Sequence, residues 1–136
     1  MATEFLCSEF GAVKIYEGER IPRCEKKLLA STRLDDDTWL SMYLNPNDNK
    51  LVLAKEEYDH ILERVDIYVV AIGDSVDEVL TRAQSKMYAS SLANILDNID
   101  RVLERDPEAI ERVKEEVKRI KALSNAFVSL RSILNK

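Results

Sequence analysis

The spacing of apolar residues changes character near residue 74. Before it, apolar side chains come in short runs that alternate with polar ones. After it, they recur every three or four residues to the end of the chain. The first spacing belongs to strands and the second to helices. The chain is thus expected to be an α+β protein forming one folded unit. Residues 1–73 would give a small antiparallel or mixed β-sheet of about five strands with one short helix, and residues 74–136 a long antiparallel αα-hairpin.

The helical half carries the clearest local signals. Ser75-Val76-Asp77-Glu78 fits a capping box, in which the Ser75 hydroxyl closes one free N–H and Glu78 reaches back to another. The helix it starts, residues 75–105, contains neither Gly nor Pro and is expected to be continuous. Its apolar stripe nevertheless moves. Val76, Val79, Leu80, Ala83 and Met87 share one face, whereas Leu92, Ile95, Leu96, Ile99, Val102 and Leu103 share another, rotated by roughly 130°. Such a helix packs its first half on the sheet and its second half on something else.

Asp106-Pro107 starts a second helix, residues 107–135, with Asp106 as cap and Pro107 at the first helical position. The short connection makes the two helices antiparallel neighbours. Glu108–Arg112 and Glu115–Arg119, each one turn apart, mark residues 108–121 as solvated on their outer face. Residues 122–135 carry Arg131 as their sole charge, so they are either tucked between sheet and first helix or covered by another subunit. The candidate interface side chains are Leu92, Ile95, Ile99, Phe127, Leu130 and Leu134, any of which is core instead under the first alternative.

In the first half, residues 3–7 and 12–16 flank Ser8-Glu9-Phe10-Gly11 and predict a hairpin. Further strands are expected at 27–34, 38–44, 51–54 and 67–72. Residues 38–44 are apolar on both faces, as in a central strand covered on each side. Residues 55–65 predict the short helix, with Tyr58, Ile61, Leu62 and Val65 on one face.

Charge narrows the partners. The net charge is −5, and all of the excess lies in residues 1–73, which hold 9 Lys and Arg against 14 Asp and Glu. That balance disfavours non-specific binding to nucleic acid or an anionic membrane. The nucleic-acid alternative rests on Arg112, Lys114, Lys118, Arg119 and Lys121 of the second helix. No apolar run reaches membrane-spanning length, and Glu4 and Glu9 interrupt any signal-peptide pattern, so a cytoplasmic location is expected. Cys7 and Cys24 read as two reduced, buried side chains, with a disulfide between adjacent strands as the alternative.

No constellation specifies catalysis, a metal or a cofactor. Gly73-Asp74-Ser75 resembles the strand–Gly-Asp-Ser–helix turn of certain esterases, but the sole histidine, His60, lies upstream and no Asp-x-x-His follows. Ser75 is better explained as a helix cap. Asp35-Asp36-Asp37 lacks the spacing of a calcium loop and reads as a solvated turn.

Residues 65–75, Val-Asp-Ile-Tyr-Val-Val-Ala-Ile-Gly-Asp-Ser, with Glu78 and the two helices after them, resemble the C-terminal part of longin-type domains. The likeness covers residues 65–105. Those domains occur in the small subunits of vesicle-coat adaptors, and the resemblance implies an interaction module without catalysis. The family places a helix after its second strand, where residues 17–26 have no helical pattern, so no residue roles are carried over. The expected function is a non-catalytic protein–protein assembly module, self-associating as a dimer through its C-terminal helices. The alternatives are a nucleic-acid-associated regulator and an enzyme whose site has no recognisable signature.

Overall fold

The computed structural model describes residues 2–7, 11–23, 27–45 and 48–135. Strands β1 (Ala2–Cys7) and β2 (Gly11–Tyr16) pair as the predicted hairpin. They are followed by β3 (Arg20–Pro22), β4 (Lys27–Asp35), β5 (Thr38–Leu44), β6 (Leu51–Asp59) and β7 (Arg64–Gly73), which form one antiparallel sheet in the order β3-β7-β6-β5-β4. Helices α1 (Val76–Leu103) and α2 (Pro107–Leu134) close the chain as a hairpin. The α+β architecture is therefore as the periodicity predicts.

The sheet is covered on both faces. Toward the helices, Leu40 and Met42 of β5, Leu51 and Leu53 of β6 and Val70 of β7 pack against Val79, Leu80, Ala83, Leu123, Phe127 and Leu130. Toward the hairpin, Tyr43, Val52, Val69 and Ile72 pack against Ile15, with Val13 beside it. The register slips by one residue between Leu53 and Ala54, leaving Val70 as an extra residue of β7, and Val70 and Ala71 both turn to the helical side.

One expected element is different. Residues 55–65 are not a helix: Lys55 to Asp59 continue β6, and Arg64 begins β7. Glu56 lies between Trp39 and Ile67, so the backbone there is paired on both sides. The connecting turn is fixed by Asp59 Oδ1, which accepts the N–H of Ile61 at 2.8 Å and of Leu62 at 3.0 Å, and by Glu63 at φ 51°. Ile61 is 92% exposed, so the apolar spacing that imitates a helical face does not form one. Hydrogen bonding along two neighbouring strands outweighs an ambiguous pattern over so few residues.

The helix starts are as read. Ser75 Oγ accepts the Glu78 N–H at 3.2 Å, and Glu78 Oε2 accepts from Asp74 N at 3.4 Å, one residue before the usual partner. Asp106 Oδ1 accepts the Glu108 N–H at 3.0 Å. The strand-to-helix turn is tight at Gly73, where an added Cβ would meet Val79 Cγ2 at 2.9 Å and Glu78 Oε1 at 3.0 Å. Gly73→Ala is expected to cost about 1–3 kcal/mol, by pushing on the buried Val79 and loosening the cap. A urea melt that matches the wild-type midpoint would contradict this.

Candidate functional site

The helical hairpin has two halves that face different surroundings. In the near half, the side turned to the sheet is apolar and buried: Val79, Leu80 and Ala83 from α1, with Leu123, Ala126, Phe127 and Leu130 from α2. The far half comprises residues 92–103 of α1 and 107–121 of α2. There the sheet-facing side is polar. Asn94 Nδ2 donates to Glu116 Oε1 at 3.2 Å, and Arg119 Nη1 donates to the same oxygen at 2.5 Å. Below these groups a cleft of about 970 Å³ separates the helices from Arg20, Lys55, Glu57 and Tyr68 of the sheet.

The apolar side of the far half points the other way, into solvent. Leu92, Leu96, Ile99 and Leu103 stand in a row along α1, one turn apart, at 53, 58, 37 and 75% exposure. Val117 of α2, 40% exposed, lies on the same side, and Ile95, Val113 and Ile120 are half-buried in the seam between the helices. This is the rotated stripe of the sequence, borne on one unbroken helix. The near stripe meets the sheet, and the far stripe meets α2 along one edge and, among the described residues, nothing along the other.

The six candidate interface residues divide accordingly. Phe127 and Leu130 are fully buried in the core, and Leu134 packs against it, half-buried. One side of residues 122–135, carrying Leu123, Ala126, Phe127 and Leu130, is thus held between the sheet and α1, with the Phe127 ring edge-on to Tyr88 at 6.3 Å, whereas Val128 and Ile133 on the other side are exposed. Leu92 and Ile99 are exposed, and Ile95 is half-buried. Leu96, Leu103 and Val117 belong with them, a membership carried by the same three- and four-residue spacing. Cys7 lies in β1, whereas Cys24 falls outside the described residues, as does any pairing between them.

The remaining candidates for chemistry are engaged locally. Ser75 and His60 flank opposite ends of the ten-residue β7, about 30 Å apart along an extended strand. His60 Nε2 lies 3.0 Å from Asp37 Oδ2 on the surface. Asp35 Oδ1 accepts the Asp37 N–H, and Asp36 contacts Arg33. Four of the five cations on α2 sit beside acids of their own helix: Arg112 with Glu108, Lys114 with Glu111, Lys118 with Glu115 and Arg119 with Glu116. Among the described residues, no group of three or more His, Cys, Asp and Glu converges with metal-ligand geometry. Among the described residues, no helix is long and apolar enough to cross a membrane.

No family model, curated protein or solved structure matches this chain.

One charged cluster has no signature in the sequence, because its members are far apart along the chain. Beyond the end of β3, Glu17 Oε1 accepts the Ile72 N–H at 2.9 Å, Arg82 Nη1 donates to the Ile72 carbonyl at 2.7 Å, and Lys86 Nζ donates to the Val70 carbonyl at 3.1 Å. The Glu17 carboxylate also binds Arg82 directly and Lys86 at 2.6 Å. Burial opposes ionisation of Glu17, but Lys86, the Ile72 N–H and Arg82 outweigh it and bring its pKa down to about 2. Glu56 is the converse case. Burial pushes its carboxyl up against the pull of Arg23 and Ser41, and among the described residues its Oε1 has no hydrogen-bond partner.

Proposed function

We propose that this chain is a non-catalytic assembly module that self-associates through the outward apolar face of the far half of its helical hairpin. The observation that carries the reading is the exposed row Leu92, Leu96, Ile99 and Leu103, with Val117 beside it. Single exposed apolar residues are ordinary, but a contiguous row one helical turn apart is the form of a helix–helix contact awaiting its other side. The local pairing of the α2 cations speaks against a phosphate-binding surface.

Leu96→Asp tests the reading. Leu96 is 58% exposed, so the change should leave the fold within about 0.5 kcal/mol of wild type. Light scattering should show a multimer of the wild-type chain reduced to a folded monomer. A wild type that stays monomeric from about 5 to 500 µM, or a multimer that Leu96→Asp leaves intact, would overturn the proposal.

A further inference from the structure

We infer that the cleft beneath the far half of the hairpin is a binding site for a small organic anion with an aromatic body, seated on Tyr68 between Arg20 and Lys55. Such a site stands whether or not the chain self-associates, since the cleft and the leucine row lie on opposite sides of the hairpin.

The floor of the cleft is set by strand register. Arg20 of β3 and Lys55 of β6 are the cross-strand partners of Tyr68, one on each side of it, and Lys55 is in turn paired with Leu40. Paired residues of an antiparallel sheet point to the same face. Leu40 packs toward the helices, so Arg20, Tyr68 and Lys55 form a row beneath them. Tyr68 is 38% exposed there. Val70, Met87 and Leu123, which belong to the helix-side core or pack against it, continue the lining. At about 970 Å³ the cleft has the volume of sites that hold drug-sized molecules. A partly exposed aromatic ring on its floor offers a flat guest a surface for offset stacking.

Charge around the ring says what the guest carries. Glu57 is shared between the two cations: its Oε2 accepts from Arg20 Nη1 at 2.9 Å, and its Oε1 lies 3.3 Å from Lys55 Nζ. One carboxylate thus answers two cations, which leaves a surplus of positive charge beside Tyr68. Asp66, the next residue of β7 on this face, is held by Arg64 at 2.9 Å. Lys86, a further cation of the lining, shares Glu17 with Arg82. The other lining acids, Asp35 and Glu115, are exposed, and Glu115 lies 3.4 Å from Lys118. Arg20 and Lys55 each carry more N–H donors than their contact with Glu57 uses. A sulfonate, carboxylate or phosphate on the guest draws charge-assisted hydrogen bonds from both. A cationic guest is repelled by the same pair.

Fluorescence titration tests the site. Anilinonaphthalene sulfonate joins an aromatic body to a single negative charge, and phenylnaphthylamine is the same ring system without the sulfonate. At about 20 mM salt the sulfonate should bind saturably, one per chain, and at least about tenfold more tightly than the uncharged compound. Arg20→Gln and Lys55→Gln should each weaken it about tenfold, and Tyr68→Ala about fivefold. Glu57→Gln should tighten it about threefold by releasing both cations, which a purely structural role for Glu57 would not do. Each cation variant leaves Glu57 one partner, and circular dichroism confirms that all four variants are folded. Binding that fails to saturate by about 1 mM, equal binding of the two compounds, or four variants that bind like wild type would each overturn the site. Loss of the signal in Leu96→Asp but not in Tyr68→Ala would place the probe on the leucine row and overturn it likewise. A monomeric wild type overturns the assembly reading and leaves the cleft as it is.

Discussion

Phe127→Asp is expected to unfold the domain. Phe127 is 1% exposed and lies in the cluster with Leu40, Met42, Leu53, Val79 and Leu130. Truncating a buried aromatic costs about 3–5 kcal/mol through lost burial and the cavity left behind. An unpaired carboxylate in the same place adds the penalty of a buried charge. The sum approaches the whole stability of a domain of this size, about 5–15 kcal/mol. The purified variant should therefore show no cooperative melt, and its circular dichroism should lose both helical and sheet signals. The contrast with Leu96→Asp is informative, since the two residues lie on the same hairpin and receive the same charge. A soluble, folded Phe127→Asp monomer would mean that residues 122–135 are a subunit contact and not core.

The second large effect is acid destabilisation through Glu17. Its folded pKa is about 2 against an ordinary value of 4.5, so it contributes stability that is fully present above pH 4.5 and lost as pH falls toward 2. A depression of that size corresponds to about 3 kcal/mol, and the side chain is only 13% exposed, so solvent screening takes little from it. Glu17→Gln should cost a similar amount at pH 7, where it leaves Arg82 and Lys86 without their shared carboxylate. The gap between variant and wild type should close over the same acid range, as read from urea melts at successive pH values. Glu56 acts in the opposite sense: its raised pKa means that protonation favours the folded state, which offsets part of the acid loss. A gap that holds constant from pH 7 down to pH 2.5 would show that folding does not lower the pKa of Glu17.

Local chemistry made much of this fold legible. The caps at Ser75 and Asp106, Pro107 at the first helical position and the absence of Gly and Pro between residues 76 and 103 all act within one turn of helix, and all hold in the structure. The apolar faces of residues 38–44 are likewise local, and β5 indeed has neighbours on both sides. What was not legible depends on partners distant in sequence. Residues 55–59 are strand because β5 and β7 flank them, which no pattern within the segment discloses. Glu17 meets Ile72, Arg82 and Lys86 only after the sheet and helix have docked. The candidate surface lies between these cases. The rotation of the stripe at Tyr88 is visible in the sequence, but periodicity alone does not say which stripe the sheet covers. Phe127 and Leu130 therefore joined Leu92 and Ile99 as candidates, although they point to opposite sides of the hairpin.

The closure of β7 by side chains also bears on how copies of this chain meet while they are being made. An open strand edge is a template on which another chain's strand can hydrogen-bond, and crowded nascent chains aggregate by that route. Here the amide and carbonyl of Ile72 are taken by Glu17 and Arg82, and the Val70 carbonyl by Lys86. At the opposite edge, β4 breaks register twice, between Leu28 and Ala30 and between Arg33 and Asp35, so no long straight row of donors and acceptors is presented there. Sheet-to-sheet growth is therefore disfavoured at both places, by side chains along β7 and by broken register along β4.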